Sequence, residues 1–458
     1  MIESKLRRAE LIGALSYALD ITEGQPEGHC VRCCFIGMRL GRGLGLSDAA
    51  LAELYYTLLL KDLGCSSNAA RICELYITDD IAFKRDVKQL DDANFLEAAQ
   101  FALGHTALGS GLWQRFKVLL SSLRTIDEVA QELIITRCQR GASIARRLGF
   151  GEPVAQGIHG LDEHWNGLGR PERVAGADIS LYSRIALLAQ VVDVFHTEGG
   201  VEAALAEAKQ RRGTWFDPAL VDLLLAIGPH DELWKRLGSA DLAEHVFADE
   251  PAQFSVTVDD DYLDQIAAAF GEVVDSKSPY TAGHSTRVAL YTDAIAAELG
   301  LSFERRRWLQ RGALLHDVGK LGVSNAILDK PGKLTSAEWE AVRKHAVFTE
   351  EILSRIPQFR ELAVVAAAHH ERLDGAGYPR GIGAADIALE TRVITTADIF
   401  DAITAARPYR EAVPIPRTLE IMAQSVGSAL DPDCFAALQR VIPTLEAARH
   451  SLPRERAA

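Results

Sequence analysis

The sequence predicts an all-α protein built from two tandem helical domains of the same type, and three observations support this prediction. Apolar residues recur at three- and four-residue spacing over most of the chain, which is typical of amphipathic helices. Alternating patterns typical of strands are scarce. Four blocks of the first half also recur in the same order in the second half, which indicates duplication of a whole helical domain.

The repeated blocks match in both residues and spacing. GHCVRCCFIGMRLGRGLGL, from Gly28, matches GHSTRVALYTDAIAAELGL, from Gly283. EHWNGLGRP matches ERLDGAGYP, SRIALLAQVVDV matches TRVITTADIFDA, and FDP matches LDP. The segment LLLKDLGCSSNAA matches LLHDVGKLGVSNAI, so that Lys61 stands where His316 stands, 32 residues after the first histidine of each copy. The first copy carries an insertion between LLLKDLGCSSNAA and EHWNGLGRP.

Periodicity and capping place several helices of the second copy. We expect helices over Tyr262–Val274, Ser285–Leu299, Glu304–Leu315 and Glu338–Leu353. Thr335 lies three residues before Glu338, the spacing of a capping box, so the last helix should begin there. The acidic, Pro-containing segment FADEPAQFSVTVDDD, residues 247–261, is the expected junction between a domain over 1–250 and a domain over 251–458.

Composition and charge exclude several classes of protein. The chain has 458 residues, of which 48% are hydrophobic, and its net charge of −14 makes polymeric nucleic acid an unsuitable partner. Its apolar runs are too short to span a bilayer, and its first residues lack a secretory signal pattern. We therefore expect no membrane association and a cytoplasmic location. The seven cysteines, an odd number, are expected to be buried thiols.

The second copy collects seven imidazole and carboxylate side chains in its repeated blocks. Imidazole and carboxylate together suit first-row divalent metals, and one ion with open positions does not need seven ligands. Two ions about 3.5–4 Å apart, bridged by one carboxylate, would use them all and would activate a water for hydrolysis. The candidate ligands are His284, His316, Asp317, His345, His369, His370 and Asp398.

We expect these ligands to divide into two sets that share Asp317. The first metal ion would take His284, His316, Asp317 and Asp398, and the second would take Asp317, His345, His369 and His370. His345 falls beside an apolar stripe of its helix, which should turn it inward. The stripe consists of Trp339, Val342, Ala346, Thr349 and Leu353.

These motifs resemble the HD-GYP family of metal-dependent phosphodiesterases, a branch of the HD phosphohydrolase superfamily. YTAGHSTRV, ALLHDVGKLGV, ILDKPGKLT, HHERLDGAGYPRG, TTADIFDAITAARPYR and LDP occur in the family's order over about 261–442. The resemblance implies HD-type helical domains, two or three metal ions, and hydrolysis of cyclic di-GMP to pGpG, with GMP as a further product. Some members carry a glutamate four residues before the first ligand histidine, where Tyr280 stands here. We therefore expect two ions, Fe or Mn.

Other polar residues are expected to orient the substrate. Asp317 and Lys320 are the expected catalytic residues, since Lys320 lies one helical turn after His316 and could place an ammonium against a phosphate oxygen. The resemblance implies substrate-binding roles for Lys320, Tyr378, Arg407 and Arg410. Asp401, one turn after Asp398, is expected to accept a hydrogen bond from a ligating imidazole.

The first copy keeps the scaffold and loses most of the ligands. His29 and Asp62 remain, but the other positions change: Lys61 replaces His316, Leu161 and Asp162 replace His369 and His370, and Gln190 replaces Asp398. No equivalent of His345 is visible, and His105 in the insertion is only a distant candidate. Because an ammonium repels a divalent ion, we expect this copy to bind no metal and to perform no hydrolysis. A scaffold role, including a homodimer contact, and a regulatory role both stay open.

Three functions are compatible with the sequence. Cyclic di-GMP hydrolysis leads, and hydrolysis of another cyclic dinucleotide or nucleotide is a close alternative. The third is a signalling module that binds a nucleotide or a protein partner through the loop Gly377–Tyr378–Pro379 with negligible turnover. The full ligand set argues against this module, since simple binding does not require seven metal ligands.

Overall fold

The computed structural model describes residues 6–88, 104, 126–406 and 411–449. The chain divides into two compact units, Met1–Val258 and Asp259–Ala458. Their boundary lies within the segment 247–261, eight residues after the position expected from the sequence. The regular elements of the described residues are all helical, accompanied by isolated β-bridges, so the predicted all-α class is confirmed.

The first unit contains eleven α-helices within its described ranges. They are α1 (Arg8–Thr22), α2 (His29–Gly43), α3 (Asp48–Leu60), α4 (Ala69–Tyr76), α5 (Asp80–Val87), α6 (Ile126–Arg147), α7 (Glu152–His159), α8 (Leu181–Gln210), α9 (Pro218–Ile227), α10 (Glu232–Leu237) and α11 (Leu242–Ala248). Helix α8 is interrupted at Gly200, whose φ of 76° departs from helical geometry. A short 3-10 turn, Cys65–Asn68, follows α3.

The second unit contributes nine more α-helices among the described residues. They are α12 (Asp260–Asp275), α13 (His284–Glu298), α14 (Phe303–Leu315), α15 (Asn325–Leu328), α16 (Ser336–Ser354), α17 (Arg360–Ala367), α18 (Leu389–Thr404), α19 (Ile415–Ala423) and α20 (Pro432–Arg449). All four helices expected from the sequence are confirmed. The capping box is confirmed too, because the Thr335 hydroxyl accepts from the Glu338 N–H and the Glu338 carboxylate accepts from the Thr335 N–H.

The same helix contacts recur inside each unit. In the first unit, α2 packs against α3 and α8, and the 3-10 turn after α3 packs against α6. In the second unit, α13 packs against α14 and α18, and the 3-10 turn Val318–Gly322 packs against α16. The expected duplication is therefore present in three dimensions as well as in sequence.

An apolar core holds the metal-ligand candidates of the second unit in place. Val288 and Tyr291 of α13 pack with Leu309 of α14 and Phe400 of α18 in one buried cluster. No helix among the described residues combines the length and apolar character needed to cross a bilayer. The expected cytoplasmic location stays a prediction.

Candidate metal centre

Each candidate ligand of the second unit lies at or near the end of a helix or on a buried helix face. His284 is the first residue of α13 and follows Gly283, whose φ of 67° lies in the left-handed region that favours glycine. His316 and Asp317 follow α14 directly, and His345 is buried on α16. His369 and His370 follow α17, and Asp398 lies on α18.

The structure brings the seven side chains into two groups. In each group, one possible ligand atom per residue lies within 4.8 Å of the others. One group comprises His284, His316 and Asp398, and the other comprises Asp317, His345, His369 and His370. They agree with the two sets expected from the sequence except that Asp317 falls only in the second group. The role of all seven side chains as metal ligands stays a prediction.

Asp317 lies between the two groups with its two oxygen atoms facing opposite ways. Its Oδ2 is 3.6 Å from His284 Nε2 and 3.3 Å from His316 Nε2. Its Oδ1 is 3.5 Å from His345 Nε2 and 3.7 Å from His369 Nε2. This is the arrangement that a bridging carboxylate requires.

Hydrogen bonds fix the tautomer of four of the histidines. The Nδ1–H group of each donates to an oxygen of the protein: His284 to Asp401 Oδ2 at 2.7 Å, His316 to the Ala313 carbonyl at 2.8 Å, His345 to the Val342 carbonyl at 2.5 Å, and His369 to the Ala366 carbonyl at 2.7 Å. The Nε2 lone pair of each ring is then free to bind a cation. Asp401 thus has the contact expected from the sequence.

One direct observation indicates that these imidazole and carboxylate side chains suit a divalent metal. His316 Nε2, His345 Nε2, His369 Nε2 and Asp317 Oδ1 are buried and have no hydrogen-bond partner. Burying a polar atom without a partner is costly, so four such atoms converging on one region indicate a site that suits a cation.

Local electrostatics favour the same conclusion. Burial lowers the pKa of His345 to about 4 and that of His370 to about 3, so both rings are neutral and able to accept a metal at pH 7. Burial opposes ionisation of Asp317, but the Lys320 ammonium and His316 hold its pKa well below the usual value. Burial also disfavours charge on His316, yet Asp317 and Asp398 raise its pKa to about 9, so these carboxylates attract positive charge.

The predicted substrate-binding residues differ in their placement. The Lys320 ammonium donates to Asp317 Oδ2 at 2.5 Å. The ring of Tyr378 lies 4.7 Å from the ring of His370, at the second group. Arg407 and Arg410 lie outside the described residues. Lys320 also lines a cavity of about 260 Å³ beside His284, and the exposed Tyr280 lines the same cavity.

Two supporting features of the site are not evident from the sequence motifs alone. A Cβ atom on Gly319 would lie 1.9 Å from the His345 carbonyl oxygen, so glycine is needed where this turn contacts α16. The Gly319 N–H donates to the Thr349 hydroxyl, which donates to the His316 carbonyl at 3.0 Å. Thr349 therefore joins the segments that carry His316 and His345.

Glu371 organises the loop that carries Tyr378. Its carboxylate accepts hydrogen bonds from the N–H groups of Arg380 at 2.6 Å and Ile382 at 3.1 Å. Glu163 of the first unit accepts from the N–H groups of Glu172 and Val174 in the same way. The repeated glutamate could have been found by comparing the two copies.

The prediction that the apolar stripe of α16 faces the core is only partly correct. His345, Ala346, Thr349 and Leu353 are buried, as the sequence predicts. Trp339 is 48% exposed, because it lies in the first turn of the helix, beyond the buried core. The inward direction of His345 therefore depends on the later turns of the helix.

In the first unit, a lysine lies where the second unit has its first ligand group. The Lys61 ammonium is fully buried, 3.1 Å from His29 Nε2 and 3.1 Å from Gln190 Oε1, and it donates to Asp62. His29, Asp62 and Gln190 are the counterparts of His284, Asp317 and Asp398. Burial opposes the charge on Lys61, but Asp62 raises its pKa well above the usual value. A protein cation therefore contacts the residues that would face a metal.

The structure also identifies a counterpart of His345 in the first unit, which was not visible in the sequence. A Cβ atom on Gly64 would lie 1.9 Å from the Arg137 carbonyl oxygen, the same contact that Gly319 makes with His345. Arg137 therefore stands at the position of His345, and its guanidinium pairs with Asp162, the counterpart of His370. The alternative candidate, His105, lies outside the described residues. A second cation thus occupies the other half of the site.

The remaining carboxylates of this region are also paired. Glu23, Asp62 and Cys65 lie close together, as do His29, Cys33 and Asp193. Lys88 is 2.8 Å from Glu23, and Arg32 is 2.6 Å from Asp193. Protein cations thus balance both clusters.

Comparison with known proteins assigns the family. The family model described as HD domain matches residues 114–220 and 269–434, which is more than half of the chain. The chain belongs to the HD domain family. The 3′3′-cGAMP-specific phosphodiesterase 3 of Vibrio cholerae is 54% identical to this HD domain protein over 445 residues, which cover 97% of this chain and 96% of that one. The resemblance to the HD-GYP phosphodiesterases is thereby confirmed.

Other relatives match shorter parts of this HD domain protein, and one solved structure matches nearly all of it. The cyclic di-GMP phosphodiesterase response regulator RpfG of Xanthomonas campestris is 39% identical over 168 residues, 36% of this chain and 44% of that one. A cyclic di-GMP phosphodiesterase of Thermotoga maritima is 33% identical over 184 residues, 40% of this chain and 50% of that one. A crystal structure of the cyclic GMP-AMP phosphodiesterase V-cGAP3 of V. cholerae superposes with a TM-score of 0.65 at 48% identity, covering 99% of this chain and 100% of that one.

Proposed function

We propose that this HD domain protein is a metal-dependent phosphodiesterase that hydrolyses cyclic dinucleotides, with 3′3′-cGAMP as its main substrate. The observation that carries the proposal is the convergence of seven imidazole and carboxylate side chains on the two sides of Asp317. The relative that matches almost the whole chain is specific for 3′3′-cGAMP. The specificity of this relative supports 3′3′-cGAMP over cyclic di-GMP, the leading substrate expected from the sequence.

The second unit would hold two divalent ions, Fe or Mn. His284, His316 and Asp398 would hold one ion, His345, His369 and His370 the other, and Asp317 both. Such ions supply Lewis acidity and bring the pKa of a bound water towards neutrality. Hydrolysis would add a water to one phosphodiester, break its P–O3′ bond and leave a linear dinucleotide with a 5′-phosphate and a free 3′-hydroxyl.

Residues around the ligands would orient the substrate. The partly exposed Lys320 ammonium touches Asp317 and would approach a non-bridging oxygen of the reacting phosphate. Tyr378 would lie against the substrate at the second group. Arg407 and Arg410 keep their expected role in phosphate binding as a prediction from the family.

The first unit would bind no metal, because the Lys61 ammonium and the Arg137 guanidinium already balance its buried carboxylates. We propose that it acts as a scaffold or as a regulatory domain for the second unit. A homodimer contact, and a signalling partner at the Gly377–Tyr378–Pro379 loop, stay predictions.

The proposal is tested by turnover of the metal-loaded protein. The full chain is purified with Fe or Mn under low oxygen and incubated separately with 3′3′-cGAMP, cyclic di-GMP and 3′,5′-cyclic AMP. We expect about two ions per chain and the fastest cleavage of 3′3′-cGAMP to a linear dinucleotide. Two ions per chain with no cleavage of any cyclic dinucleotide would support the binding module instead. Faster cleavage of cyclic di-GMP would retain the enzyme and change its substrate.

A further inference from the structure

Arg343 lies on α16, two residues before His345, and its guanidinium reaches the ring of Tyr378. The guanidinium carbon is 5.5 Å from the centroid of this ring, within the range of a cation–π contact. The Tyr378 ring lies 4.7 Å from the ring of His370 and 6.2 Å from that of His345. A positive charge is therefore held one aromatic ring away from the second ligand group.

Nearby arginines form ion pairs with carboxylates, whereas Arg343 forms none with the described residues. Arg372 pairs with Asp374 at 2.6 Å, and Arg380 pairs with Glu350. Among the described residues, Arg343 has no carboxylate partner, and it is exposed. Its guanidinium donors are therefore available to an anion that approaches the metal centre from solvent.

The first unit shows that this pair is not a requirement of the fold. Because Arg137 corresponds to His345, Ile135 corresponds to Arg343. In the matched loop, Arg170 stands at the position of Tyr378. The tyrosine–arginine pair is thus absent from the unit whose metal ligands are replaced, which associates the pair with chemistry that only the second unit performs.

We propose that Arg343 binds the second phosphodiester of a cyclic dinucleotide while the first phosphodiester lies at the metal centre. This inference rests on the proposed function and adds a specificity residue to it. A cyclic dinucleotide carries two phosphates in one ring, and metal ions neutralise only the phosphate that they contact. A guanidinium fork suits the other phosphate, and contact with the Tyr378 ring restricts where the fork points.

The test compares a substrate that has two phosphodiesters with one that has a single phosphodiester. Steady-state kinetics of Arg343→Met are measured with 3′3′-cGAMP and with bis(p-nitrophenyl) phosphate on the metal-loaded full chain. We expect KM for 3′3′-cGAMP to rise about tenfold with little change in kcat, because the contact is made equally in the ground state and the transition state. Turnover of bis(p-nitrophenyl) phosphate should not change.

Two variants and two further readouts make the result specific. Lys344→Met removes an exposed cation at the next position of α16 and should leave KM unchanged, whereas Arg343→Lys should recover part of the loss. Equilibrium binding of 3′3′-cGAMP should weaken by a similar factor in Arg343→Met, and metal content should stay at the wild-type value.

Three outcomes would overturn the inference. One is an unchanged KM and affinity for 3′3′-cGAMP in Arg343→Met. Another is an equal loss on both substrates with reduced metal content, which would mean that Arg343 acts by supporting the ligands. The third is an equal effect of Lys344→Met. If the wild-type protein binds 3′3′-cGAMP without cleaving it, the proposed function fails, and the binding comparison still decides the role of Arg343.

Discussion

The two units of the chain place different side chains around corresponding buried aspartates, Asp317 and Asp62. Asp317 faces four histidine Nε2 atoms, three of which have no hydrogen-bond partner. Asp62, its counterpart, contacts the Lys61 ammonium, and the Arg137 guanidinium lies on the other side of the site. A buried carboxylate requires a compensating charge. In the second unit, Lys320 supplies part of this charge, and on the proposed function ions from solution supply the rest. The first unit supplies it from its own side chains alone.

The largest expected effect comes from removing the shared carboxylate of the second unit. Asp317→Ala should abolish binding of both metal ions and reduce 3′3′-cGAMP hydrolysis by about a thousandfold or more. Metal analysis and product assays on the purified full chain measure both effects. The matched variant Asp62→Asn should leave the metal content unchanged. Loss of metal from Asp62→Asn would show that the first unit also holds an ion.

Removing the internal cation of the first unit should affect stability rather than chemistry. Lys61→Met leaves Asp62 buried without its main partner, which should destabilise the first unit by about 3–5 kcal/mol. Urea unfolding of the full chain measures this change, and turnover under folding conditions should stay at the wild-type level. Combining Lys61→Met with Asp62→Leu should recover most of the stability. A free energy of unfolding of Lys61→Met equal to that of the wild-type protein would contradict the view that Lys61 compensates the charge of Asp62.

In each unit, an aspartate contacts Nδ1 of the first histidine, and matched variants of these two aspartates should sharpen the comparison of the units. Asp401 accepts from His284 and pairs with Arg287, and Asp193 makes the same contacts with His29 and Arg32. Asp401→Asn should weaken metal binding by about 10- to 100-fold, because the imidazole loses the group that orients it. Asp193→Asn should leave metal binding unchanged. Equal losses of metal in both variants would mean that the two units are not specialised.

The smallest expected effect comes from restoring part of a metal site in the first unit. Lys61→His combined with Gln190→Asp would place the ligand types of the first group around His29 and Asp62. We expect at most one additional Mn ion per chain, bound weakly, because Arg137 and Lys88 remain nearby and repel it. Equilibrium dialysis against the wild-type protein measures this gain. An additional ion bound as tightly as those of the second unit would show that Arg137 has little influence.

The sequence predicts much of this comparison because the two copies can be aligned. The ligand blocks, Lys61 and Gln190 are all visible from that alignment, and helical periodicity indicates that His345 points inward. Arg137 is missed because it follows the insertion of the first copy, where the alignment breaks down and only the backbone contact with Gly64 restores it. The contact of Arg343 with Tyr378 is missed for another reason, since no spacing rule shows that this long side chain reaches a separate loop.

Gly64 and Gly319 show how residues that the fold requires can be distinguished, within a single chain, from residues that catalysis requires. Both glycines sit against a backbone carbonyl that no larger residue could approach, although the units differ in their chemistry. A position that is identical in both halves therefore reports on architecture, and a position that differs reports on what each half does. On the proposed function, the protein carries its own inactive reference, covalently attached and present at the same concentration.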